Sequence, residues 1–113
     1  MNMPSRNLIT GETSKPMKKT VRHENILMHL KERYPIVSVP CRGSWSKEPV
    51  QPYFRKGNLY FIVSEVPFLG GFVVEYAENE DYAASGGLED GDVFPYELTD
   101  DEILDGIIKE IEA

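Results

Sequence analysis

The chain has 113 residues (12.9 kDa), of which 41% are hydrophobic and 27% charged, and a net charge of −7. That length and composition predict one globular domain with a modest core, and they exclude a disordered chain. The single cysteine, Cys41, excludes an intrachain disulfide, and no apolar run nears the roughly 18 residues of a membrane span, so a reducing, cytoplasmic setting is expected.

Residues 1–17 are polar, with no apolar run longer than Leu8-Ile9. They are expected to form a flexible tail, not a signal peptide, ahead of a single α+β domain spanning 18–113. Met17 is an alternative start. "TVRHENILMHLKERYP" then predicts a first helix, because Ile26, Leu27, Leu30, Tyr34 and His23 share one arc at about 100° per residue, with Pro35 ending it. His23 is expected at the edge of the core with its polar tip in water.

Ile36–Pro40 ("IVSVP") reads as a short β-branched strand, and "CRGSWSKEPVQP" as a loop with a glycine and two prolines. "YFRKGNLYFIVSEV" predicts a hairpin turning over Arg55–Asn58, its second arm apolar on both sides and therefore central. "GGFVVEYA" is a further strand, "ENEDYAASGG" an acidic loop, and "DVFPYE" a short strand whose Pro95 suits a sheet edge.

The last helix has the clearest local signal. Thr99 and Glu102 stand at capping-box spacing, and Ile103, Leu104, Ile107, Ile108 and Ile111 form one stripe opposite Asp101, Asp105 and Glu112. The whole predicts an α+β fold: a mostly antiparallel sheet of about five strands, with the N-terminal and C-terminal helices packed on one face.

The candidate chemistry narrows by elimination. "GGLEDGDVFPYE" (Gly86–Glu97) aligns on an EF-hand with Gly91 sixth, Asp90 fifth and Glu97 twelfth. Gly86 and Leu88 then fill the first and third places and supply no carboxylate. His23 and His29 lie about 240° apart on a helix and cannot share a metal. No metal and no cofactor are therefore expected.

Cys41 follows a strand and precedes Gly43, Ser44 and Ser46, which resembles the phosphate loop of cysteine phosphatases. The arginine that such a loop needs at the sixth place beyond the cysteine is Lys47 here, a point charge without a bidentate fork. A small enzyme or ligand-binding domain using Cys41 remains one alternative. A nucleic-acid surface is another: Trp45, Tyr53, Arg55 and Lys56 interleave aromatic and basic residues, although a pI near 4.8 opposes phosphate binding overall.

Charge distribution separates these readings best. Residues 1–74 hold eleven Lys and Arg against five Asp and Glu, whereas 75–113 hold one Lys against fourteen. Such asymmetry points to a basic protein partner, met by Glu78, Glu80, Asp81, Glu89, Asp90, Asp92, Asp101 and Asp105. A concrete form is an inhibitor or immunity-type protein whose carboxylates stand in for nucleic-acid phosphates in the groove of a nuclease toxin. The competing reading is a solvated surface with no partner.

Overall fold

The structure, a computed structural model, describes residues 19–113. The expected tail, 1–17, lies outside them. Helix α1 (Val21–Lys31) starts where Thr20 Oγ1 accepts the His23 N–H at 3.1 Å. It ends ahead of Pro35, and the Arg33 and Tyr34 N–H groups close on the Leu30 carbonyl at 3.0 and 2.8 Å to turn the chain into the sheet.

Strands β1 (Ile36–Pro40), β2 (Val50–Lys56), β3 (Leu59–Val66), β4 (Gly71–Ala77) and β5 (Glu89–Pro95) follow in spatial as in chain order, each antiparallel to the next. With α2 (Glu80–Ser85) and α3 (Asp100–Glu112), this is an α+β fold on an open sheet. The β2–β3 turn is tighter than the sequence suggested. Lys56 pairs with Leu59, and Gly57 takes the positive φ (60°) that a two-residue type II′ turn requires at its first position.

Period-2 alternation sends each strand's side chains to two faces. Phe54, Phe61, Val63, Phe72, Val74 and Phe94 meet Ile26 and Leu30 of α1 and Ile103, Leu104, Ile107 and Ile111 of α3 in the main core. On the other face, Val39, Tyr53, Tyr60 and Ala77 pack against Ala83 and Ala84 of α2. α2 replaces the expected acidic loop. Asn79 caps it, accepting the Tyr82 N–H at 2.9 Å, and Gly86 ends it with φ 79°.

Arg22 ties the two long helices together. Its guanidinium reaches Asp100 Oδ1 at 2.5 Å and donates to the carbonyls of Tyr96 (2.9 Å) and Leu98. At the other ends, the Tyr34 hydroxyl donates to Glu112 Oε2 at 2.7 Å. His23 departs from expectation. At 7% exposure its Nε2–H donates to the Val63 carbonyl at 2.7 Å, so its polar tip is held by the sheet and not by water. No described helix is long and apolar enough to cross a membrane.

Candidate functional site: an acidic edge strand

β5 is the outer strand beyond β4 and is longer than "DVFPYE" suggested. Glu89 and Asp90 therefore join Asp92 on a strand and do not stand in a loop. Asp90 pairs with Glu75 and Val93 with Val73, which leaves Gly91 and Asp92 together opposite Val74: a β-bulge. A Cβ at Gly91 would overlap the Glu110 carboxylate, so glycine there admits α3's side chain to the strand. Glu110 uses that access, both oxygens lying 3.2 Å from the Asp92 N–H that they accept.

The electrostatics follow from the crowding. Burial pushes the Tyr76 hydroxyl above its ordinary pKa, and the charges of Glu89, Glu110, Glu78 and Asp92 push it further the same way. Carboxylates from β4's end, β5 and α3 thus all act on one hydroxyl. Burial also raises the Glu110 carboxyl, as does the charge of Asp92, while the hydrogen bond from the Asp92 N–H opposes them.

A raised native pKa means that the folded protein holds this proton more tightly than the unfolded chain. Stability is therefore lost as pH rises from the ordinary carboxylate value through the raised one. Glu110→Gln keeps an acceptor for Asp92 and removes the titration. The variant should match the natural protein in urea midpoint near pH 3.5 and exceed it at pH 7; an unchanged difference between the two pH values would refute this.

The other expected site residues lie elsewhere. Glu80 and Asp81 occupy the first turn of α2, where the helix dipole favours them, and Asp81 pairs with Arg42 at 2.7 Å. Asp101 and Asp105 are exposed on α3, along a cleft shared with His29, Glu32 and Arg33 of the α1 end. The eight acidic positions are thus divided among the β5 edge, α2 and the α1–α3 cleft. Glu75 and Glu110 join the first group and were missed by sequence reasoning. The available signal was Gly91, an isolated glycine within a strand pattern, which marks a bulge or a close approach.

The aromatic and basic residues of the alternative surface are engaged in the fold. Tyr53 is 1% exposed and donates its hydroxyl to the Ala83 carbonyl at 3.0 Å. Trp45 Nε1 donates to the Ala84 carbonyl at 2.7 Å, and its ring covers Gly86 so closely that a Cβ there would meet it at 2.6 Å. Both aromatics thus satisfy carbonyls at the C-terminal end of α2. Arg55 lies over the Tyr60 ring, 5.5 Å from its centroid, and Lys56 pairs with Glu112 at 3.4 Å.

Cys41 is partly buried, its N–H bonded to the Pro49 carbonyl at 2.9 Å. His23 is committed to Val63, and His29 stands beside Glu32 at 3.9 Å, so neither histidine is paired with the thiol. Among the described residues no three His, Cys, Asp or Glu side chains gather to hold a metal ion.

A groove of about 620 Å³ lies away from this edge, between α1 and the β2–β3 junction. No protein family, curated protein or solved structure matches the chain.

Proposed function

We propose that the protein is a small acidic binding module of the cytosol whose β5 edge docks on a basic surface of a protein partner. Its most concrete form is an inhibitor or immunity-type protein that covers the basic groove of a nuclease toxin. The observation that carries this reading is the edge strand itself, where Glu89, Asp90 and Asp92 stand exposed on β5 and Glu110 of α3 reaches the Asp92 N–H at the bulge. A strand, a bulge and a helix fix the backbone that carries these charges, and charges gathered in this way raise association rates with an oppositely charged partner.

The same charges also discourage a bare edge strand from pairing with another chain, so the test must separate steering from protection. The triple variant Glu89→Lys/Asp90→Lys/Asp92→Lys should melt within a few degrees of the natural protein, since none of the three side chains is buried. Association with the basic partner it co-purifies with should slow by about tenfold or more at low salt, and the difference should shrink at high salt. Equal association rates for the two proteins, or rates insensitive to salt, would leave the edge as protection only.

A further inference from the structure

The groove arises from a break in the sheet. β2 and β3 pair at Lys56↔Leu59, Arg55↔Tyr60 and Phe54↔Phe61 and then part, although both strands continue. The Arg55 N–H bonds to the Pro35 carbonyl on the β1 side, so Phe54 and then Pro52 are the residues whose backbone faces β3. Pro52 has no N–H to give, and the Val63 carbonyl that would have accepted it takes His23 Nε2 instead.

Beyond that point the Val63 N–H and the Glu65 N–H and carbonyl face the gap outside any ladder. The lining confirms an opening through the sheet, since Phe54 and Val63 come from one face and Gln51 and Ile62 from the other.

We propose that this gap takes up an extended acidic peptide segment of a partner protein as an added strand on β3. Three observations select that occupant. The unladdered backbone of Val63 and Glu65 asks for another backbone, which an added strand supplies and a compact ligand does not. Leu27, Ile36 and Phe54 give the floor an apolar pocket for alternate side chains. Lys19 and Lys31 stand at its rim, and among the described residues neither forms an ion pair, while the Glu65 carboxylate is occupied by the Thr20 and Tyr96 hydroxyls at 2.7 and 2.8 Å. Acidic residues flanking an apolar one fit that rim.

The groove also runs out along β3 to Pro67, which opens a 3-10 turn where Phe68 is 94% exposed. A peptide that continues along β3 beyond the groove would reach that ring.

The probe is acetyl-Glu-Val-Glu-Val-Glu-Val-amide, titrated into the ¹⁵N-labelled full chain. Saturable shifts are expected at the Val63 and Glu65 amides. Of two analogues, N-methylated at the valines or at the glutamates, at least one should lose binding, because backbone donors are then missing on the β3 side. Lys19→Glu/Lys31→Glu should weaken binding by about tenfold at low salt, and Phe68→Ser should weaken it without changing the melting temperature. Sodium decanoate serves as the competing class. Shifts at these amides with decanoate and none with the peptide, binding by both methylated analogues as tight as by the parent peptide, or no shift at Val63 and Glu65 with millimolar probe would each overturn the proposal.

Discussion

Ile107→Asp should destabilise the fold by on the order of 3 kcal/mol or more, enough to unfold a large share of a small domain at room temperature. Ile107 is fully buried at the centre of α3, among residues of α1 and four strands of the main core. A carboxylate there would be desolvated with no described cation in that cluster to meet it. Thr99→Ala sets the comparison: it removes only the side chain that accepts the Glu102 N–H at 3.2 Å and should cost about 1 kcal/mol. Urea melts of the two variants give the ratio directly. A harmless Ile107→Asp would mean that α3 is not docked on the sheet.

Gly71→Ala is expected to cost about 2–3 kcal/mol, a large penalty for one methyl group. Gly71 is buried at the start of β4 opposite Pro95, and a Cβ there would run into the Phe94 carbonyl and the Pro95 Cα of β5. Backbone cannot swing aside as a side chain can, so the two strands must separate. Gly57→Ala is the control. Its added methyl meets nothing within 4 Å, so it pays only for the positive φ of the turn, about 1 kcal/mol. If the two variants melted alike, strand contact at Gly71 would not be the cause.

How far the fold was legible depends on how long each signal runs. α3 repeats its apolar spacing over thirteen residues and carries both halves of a capping box, so its place and orientation were readable. α2 has six residues and buries only Ala83 and Ala84, too short for a period and too small for a hydrophobic signal. Pro52 was read as loop, yet it lies within β2, where a neighbouring strand on one side leaves it room. Its consequence, a sheet that parts beside α1, depends on which strand each backbone group faces and is invisible before the register is known.

The acidic site was legible in number but not in place. Glu89, Asp90 and Asp92 are adjacent in the chain and remain together, whereas Asp101 and Asp105 follow α3 to a cleft shared with His29 and Arg33. Glu110 looked like an ordinary helix residue. Only the bulge at Gly91, which brings the strand against the Glu110 carboxylate, gives it a part in the edge.

The clasp between the two long helices also sets the order in which the molecule can be completed. Arg22 finds Asp100, and Tyr34 finds Glu112, each 78 residues further along the chain. During synthesis α1 therefore emerges well before either of its anchors. Until then its apolar side has only the sheet to pack on, and the loop that must close spans 78 residues, which slows folding. The three central strands and their turns can pair earlier, because each contacts its immediate successor. The clasp over the main core is therefore a late event, and a chain that lacks α3 leaves α1 held only by the sheet, through contacts such as His23 to Val63.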